Sequence, residues 1–241
     1  MFYLAFGNSN KAIIFLHGWG ACHKSFLWCN DYISNDFLKI YVDFKGFGYS
    51  SCPSKSYSLV DYANDVKEIL DKFSIEELIV VGHSFGGRVA IKFAHLYGSN
   101  YKKLKLVLVD SAGLKPRRNL IFYFKIFRYK FLKRLSQKNA KYLKLLSNFG
   151  SNDYKLLSNS IKPVFVRIVN EDLKSIIKTL HFETIIIWGR DDKETKPYMA
   201  RMLKKLIRGS KLFFIENAGH FCFLDNPREF LIILDTFIKN K

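Results

Sequence analysis

The sequence predicts an α/β domain: a mostly parallel sheet flanked by helices and interrupted by one helical insertion. Three observations carry that expectation. Short apolar runs alternate with longer stretches of helical periodicity, as in chains built from strand–helix–strand units. The short runs are continuously apolar rather than alternating in polarity, which suits parallel strands covered on both faces. A length of 241 residues fits one such domain with a small insertion.

In chain order, candidate strands fall at Ala12–Leu16, Leu38–Val42, Leu78–Val81, Leu104–Val109, Thr184–Trp188 and Lys211–Ile215. Isoleucine, valine, leucine and aromatic residues dominate them and pack well on a pleated surface. Apolar residues recur with helical spacing at Leu59–Phe73, Gly86–Tyr97, Tyr198–Ile207 and Glu229–Ile238. Pro197 stands just ahead of the third of these, where its missing N–H costs a helix nothing.

One segment breaks the alternation. From Leu114 to about Leu180 the periodicity is helical, and no run continues the sheet. Its first half, Leu114 to Gly150, holds eleven Lys or Arg and no acidic residue. Interleaved aromatics include Phe122, Tyr123, Phe124, Phe127, Tyr129, Phe131 and Tyr142. The expected division is a core in two parts, residues 1–113 and 182–241, with a basic helical cap at 114–181 between them.

Composition excludes several classes. Hydrophobic residues make up 49% of the chain and aromatics 16%, ample material for a core, so intrinsic disorder is set aside. No uncharged apolar run approaches the roughly 20 residues of a membrane-spanning helix. Met1 to Lys11 has neither a positive start nor a long apolar segment, so the expectation is a cytoplasmic protein without a secretory signal. Cys22, Cys29, Cys52 and Cys222 form no CxxC pair and no zinc-finger spacing with histidine; scattered reduced thiols and no metal are expected. The net charge of +18 creates a positive field that favours anionic partners.

The strongest chemical signal is Gly82-His83-Ser84-Phe85-Gly86, followed by Gly87. A GxSxG segment between a strand and a helix is a nucleophile elbow: a sharp turn that lifts the serine hydroxyl above the sheet edge. Small flanking residues are needed because side chains there would strike the neighbouring strand and helix. A serine needs a base and the base an orienting carboxylate, expected in the order Ser, acid, His. His220, just beyond the last strand, is the candidate base. After Ile187-Trp188 the chain reads Gly189-Arg190-Asp191-Asp192; both aspartates are candidate acids, Asp192 preferred, and Asp110 at the preceding strand end is a third. An oxyanion hole needs two backbone N–H donors, expected from Phe85 and from Trp19 in the His17-Gly18-Trp19-Gly20 loop. His17 precedes the serine and reads as a buried loop anchor, not a base. Arg88 follows the elbow on the helix behind Ser84 and is assigned no role.

Five motifs now stand in one order: HGWG at 17–20, DxxGxGxS from Asp43 to Ser50, GHSFGG at 82–87, WGRDD at 188–192 and AGHF at 218–221. Together they resemble the α/β-hydrolase superfamily and cover most of the chain outside 114–180. The resemblance implies the α/β-hydrolase fold with a helical cap, Ser84, Asp192 and His220 as catalytic triad, and no cofactor. It supports Asp192, since the family's acid stands three residues after the glycine of the WG motif. It makes the Asp43 to Gly48 stretch a structural turn rather than a phosphate loop.

Within the superfamily a serine argues against the dehalogenase and epoxide hydrolase branches, which use aspartate. The expected activity is a carboxylesterase acting on a small-molecule ester, with Phe122, Phe127 and Phe221 as candidate pocket residues. Two alternatives resemble the chain in part: C–C bond hydrolases of the meta-cleavage type, and esterases acting on esters bound to an acyl carrier protein. The basic segment would suit an acidic carrier protein or an anionic membrane surface, and an anion-binding protein on a hydrolase scaffold is the non-enzymatic reading. No RNA- or DNA-binding motif is present, which argues against nucleic acid.

Overall fold

The structure, a computed structural model, describes residues 1–115, 128 and 161–239. Seven strands form one sheet: β1 (Phe2–Phe6), β2 (Lys11–Leu16), β3 (Leu38–Asp43), β4 (Glu77–His83), β5 (Lys103–Val109), β6 (Glu183–Gly189) and β7 (Lys211–Ile215). Their spatial order is β1-β3-β2-β4-β5-β6-β7. All pairings are parallel except β1 with β3, so the sheet is mostly parallel as expected.

Period-two geometry explains why the strand runs are continuously apolar. After the short helix α1 (Lys24–Leu27) come α2 (Leu59–Leu70) and α3 (Phe85–Tyr97), and Ile14, Ile40, Val80, Leu106 and Ile186 point to the face where they join the core under α2 and α3. Ile13, Tyr41, Ile79, Val107 and Ile185 point to the other face and pack with Phe26, Phe223, Phe230 and Leu234. Both faces are covered, so apolar residues dominate at successive positions; the buried exceptions find polar partners, as Lys39 does in the carbonyls of Asn30 and Ile33 and Lys105 in that of Phe237.

Local signals set the helix starts. Ser58 caps α2 with a reciprocal capping box: its hydroxyl accepts from the Asp61 N–H and the Asp61 carboxylate accepts from the Ser58 N–H. A proline in the first turn opens the helices Pro197–Leu206 and Lys162–Asn170. The C-terminal helix runs from Pro227 to Lys239.

One strand was not expected. Phe2–Phe6, the apolar run FYLAF, pairs antiparallel at the sheet edge and is half-buried to exposed along its length.

Of the expected insertion, residues 116–127 and 129–160 lie outside the described residues, and with them Phe122, Phe127 and most of the basic cluster. The described end of the insertion holds the cap helix Lys162–Asn170 and a short helix Lys174–Ile177. Val164, Ile168, Leu173 and Ile177 are buried in the core on the α3 side of the sheet. Among the described residues, no helix is long and apolar enough to cross a membrane.

Candidate active site

Ser84 sits between β4 and α3 at φ 50° and ψ −109°, a left-handed conformation that a non-glycine residue rarely adopts. Neighbours hold it there. Its N–H donates to the Val109 carbonyl at 3.0 Å, and its carbonyl accepts from Ala112 N at 3.0 Å. The elbow glycines are a packing requirement: a Cβ on Gly86 would lie 2.7 Å from the His17 carbonyl oxygen. On Gly18 it would lie 2.7 Å from His83 Nδ1 and 3.5 Å from Ser84 Cβ, so the loop after β2 presses directly on the elbow.

The loops after β6 and β7 bring the base and the acid to Ser84. His220 Nε2 lies 3.0 Å from Ser84 Oγ, and its Nδ1 lies 2.9 Å from Asp192 Oδ2. Asp192 is buried, and its other oxygen accepts from the Glu194 and Thr195 N–H groups at 2.8 and 3.0 Å. The Thr195 hydroxyl lies 2.7 Å from Asp192 Oδ2 and 3.3 Å from His220 Nδ1. Asp191 faces solvent, and its N–H donates to the Ala218 carbonyl at 2.9 Å. The geometry therefore places Asp192, not Asp191, beside the imidazole.

Electrostatics match this arrangement. Burial alone would raise the Asp192 carboxyl, but hydrogen bonds from His220 and Thr195 outweigh it and hold the group below its ordinary value. Burial likewise works against a charged His220, yet the Asp192 hydrogen bond and charge raise its affinity for a proton above that of a free imidazole. Serine, imidazole and carboxylate thus form a chain able to pass the hydroxyl proton to nitrogen and stabilise the resulting imidazolium.

Two further histidines are anchors. His17 is buried, accepts from the Phe44 N–H through Nε2 at 3.0 Å, and donates from Nδ1 to the Gly18 carbonyl at 2.7 Å. Burial lowers its pKa to about 4, so it stays neutral. His83 donates from Nε2 to the His220 carbonyl at 2.7 Å and thereby holds the base's backbone. Burial and the neighbouring His220 lower its pKa to about 3.

The Asp43 stretch is a turn built around one carboxylate, as expected. Oδ1 accepts from His23 N at 2.6 Å and faces His23 Nδ1 at 2.8 Å; Oδ2 accepts from Tyr49 N at 2.9 Å. Cys22, His23 and Asp43 offer atoms within 4.8 Å of one another, and in this structure His23 Nδ1 and Asp43 Oδ1 meet in a hydrogen bond. The four cysteines are free thiols.

The wall beside Ser84 is aromatic. Trp19 packs edge-on against Phe85, Phe47 and Phe165 of the cap helix, with ring centroids 5.1, 4.8 and 5.0 Å apart. Phe221 is 44% exposed with its ring 5.5 Å from that of His220, which puts it at the rim. Sequence reasoning missed Phe165 and Arg88. Arg88 is buried on α3 and donates to the Ile168 carbonyl at 2.7 Å, so it fastens the cap helix to the helix behind Ser84. No local motif could signal this, because its partners are backbone carbonyls about 80 residues away.

Comparison with known proteins agrees with the geometry. The sequence profile described as alpha/beta hydrolase fold matches residues 11–227. The chain is 27% identical to the AB hydrolase superfamily protein YisY of Bacillus subtilis, over 94% of this chain and 91% of that protein. It is 28% identical to the pimeloyl-[acyl-carrier protein] methyl ester esterase of Wigglesworthia glossinidia brevipalpis, over 99% and 97% of the two chains. Among solved structures, an esterase from Exiguobacterium antarcticum superposes with a TM-score of 0.76 at 21% identity, covering 99% of this chain and 95% of that one. With the profile spanning nearly the whole sheet and the five motifs in place on it, this chain belongs to the α/β-hydrolase fold family.

Proposed function

We propose that the protein is a serine hydrolase that cleaves carboxylic esters through an acyl-enzyme. The observation that carries this is the unbroken relay from Ser84 Oγ to His220 Nε2 at 3.0 Å and from His220 Nδ1 to Asp192 at 2.9 Å. Ser84 attacks the ester carbonyl while His220 takes its proton. The tetrahedral oxyanion is held by the N–H groups of Trp19 and Phe85; Phe85 opens α3, whose N-terminal dipole favours negative charge at that point. The alcohol leaves with the proton from His220, and water then hydrolyses the acyl-enzyme by the same route. Asp192 keeps the imidazole in the tautomer with its proton on Nδ1. The aromatic wall of Trp19, Phe47, Phe85 and Phe165 supports an apolar acyl group beside Ser84.

The test is hydrolysis of p-nitrophenyl esters from about two to about twelve carbons, wild type beside Ser84→Ala. Turnover that peaks at one chain length and vanishes in the variant supports the reading. No turnover at any length by a folded wild type would overturn it for simple esters.

A second reading has its own support: the ester is carried by an acidic acyl carrier protein. The Wigglesworthia relative is an esterase of that kind, and eleven Lys or Arg with no acid between Leu114 and Gly150 suit an acidic partner. Carrier-bound esters cleaved faster than the free methyl ester, with an advantage lost between low and moderate salt, would favour it. Equal rates at all salt concentrations would reject it.

A further inference from the structure

Asp110 closes β5 with no accessible surface and φ 41°, again left-handed for a non-glycine residue. Four bonds meet on it. Its N–H donates to the Ile187 carbonyl of β6 at 3.0 Å, and its carbonyl accepts from the Thr195 hydroxyl at 2.9 Å. Its Oδ1 accepts from Gly189 N at 2.8 Å, and its Oδ2 accepts from Cys222 N at 3.3 Å. Gly189 lies three residues before Asp192 and Cys222 two residues after His220, while Thr195 bonds the Asp192 carboxylate directly. One buried side chain therefore ties the loop carrying the acid to the loop carrying the base. It does so without contacting Ser84 and without replacing Asp192 on the imidazole.

We propose that Asp110 is a positioning residue: its ionised carboxylate clamps the Asp192 and His220 loops at the spacing the relay needs. This rests on the hydrolytic reading of Ser84, His220 and Asp192. The chemistry requires both oxygens to accept. An asparagine could satisfy one N–H with its oxygen but would turn an NH2 towards the other, donor against donor. A protonated carboxyl keeps acceptor capacity on both oxygens but loses the charge that strengthens both bonds.

The clamp is accordingly open to protonation near neutrality. Burial raises Asp110 to about 7, helped by the Asp192 charge from the loop after β6. The hydrogen bonds from Cys222 and Gly189 and the charge of His220 oppose that rise. These are the groups that face it: Asp192 and Gly189 on one side, His220 and the Cys222 thiol and N–H on the other. On the acid side, two protonations then silence the site, one on His220 and one on Asp110.

The experiment measures kcat and KM against pH for wild type and Asp110→Asn on an ester that wild type cleaves. Ser84 labelling by a fluorophosphonate is followed in parallel. In the variant, kcat is expected to fall about 10- to 100-fold, the size of effect that small misplacement of reacting groups produces. KM should stay within about threefold, because the aromatic wall is untouched. On the acid limb, log(kcat/KM) should fall towards a slope of about two in wild type and about one in the variant. A variant with kcat within about twofold of wild type overturns the clamp. Should Asp110→Asn fail to fold, Asp110→Ser, which keeps a single short acceptor, is measured in its place, and a kcat within about twofold of wild type again overturns the clamp. A wild type that neither cleaves an ester nor reacts with the fluorophosphonate removes the hydrolytic reading, and this proposal with it. An active, labelled wild type beside an indifferent variant removes the clamp alone.

Discussion

The Arg88 guanidinium, on the helix behind Ser84, donates to the carbonyl of Ile168 in the cap helix at 2.7 Å. It also reaches the carbonyls of Val169 and Glu171, where the helix ends and its own N–H groups can no longer serve. A cation at a helix C-terminus is favoured by the dipole, and although burial lowers the Arg88 pKa to about 10, it remains charged at neutral pH. Arg88→Met keeps the apolar stem and strips these carbonyls of their donor. The expected loss is about 2–4 kcal/mol in urea unfolding. Lys92→Met, which removes the buried Lys92 from its 2.8 Å pair with the partly exposed Glu171, should cost less, about 1–2 kcal/mol, because the Glu171 carboxylate keeps access to water. Equal losses for the two variants would refute the carbonyl clamp.

The adjacent aspartates give a sharp contrast. Asp192→Asn removes the carboxylate that fixes the His220 tautomer, so kcat should fall about 10⁴-fold. Asp191→Asn alters an exposed side chain and should leave kcat within about twofold. Steady-state kinetics on one ester decides the matter, and a larger effect at Asp191 would reverse the assignment.

Why one was preferred from sequence and the other only weighed against it shows what sequence carries. Ser84, His220 and the 191–192 pair are legible because each follows within five residues a strand whose apolar run marks it, so chain position stands in for space. Which aspartate turns inward depends on the loop path, set by Thr195 and Glu194 N–H groups that no periodicity reveals. The edge strand Phe2–Phe6 is as apolar as the inner strands, but a five-residue apolar run does not by itself say whether it pairs at a sheet edge, which only the contact with β3 shows. Asp110 was readable only as a rival acid. Its bonds to Gly189 and Cys222 span 79 and 112 residues, and such closure is visible only in three dimensions.

His83 makes a prediction about pH and stability. Folding lowers its pKa from an ordinary 6.5 to about 3, through burial and the neighbouring His220. The unfolded chain therefore binds a proton that the folded one refuses whenever the pH lies between those values. Stability is lost as pH falls below about 6.5, by about 1.4 kcal/mol per pH unit for this one group. His83→Gln can still donate to the His220 carbonyl but does not titrate. Relative to that variant, wild type should lose about 2 kcal/mol between pH 6.5 and pH 5.0, read as the change in their difference in urea unfolding free energy. A difference that stays constant with pH would show that His83 is protonated in the folded protein.

Gly189 and Gly209 separate two reasons for a glycine. At Gly189, which ends β6, a Cβ would lie 2.5 Å from the Ala218 carbonyl oxygen and closer still to that of Gly219, the residue before His220. Alanine there must push the base's loop away from the strand that leads to the acid, through backbone that cannot yield cheaply. The expected cost is about 1–3 kcal/mol in stability, with kcat falling about 100-fold as His220 leaves its 3.0 Å contact with Ser84. At Gly209 the backbone is left-handed, φ +77°, yet nothing lies within 4 Å of an added Cβ. Alanine at 209 should cost about 1–2 kcal/mol from conformation alone and leave kcat unchanged. Unfolding and turnover measured on both variants separate the two effects. If Gly189→Ala kept wild-type kcat while losing stability, the contact between β6 and the His220 loop would be shown to hold the fold but not the relay.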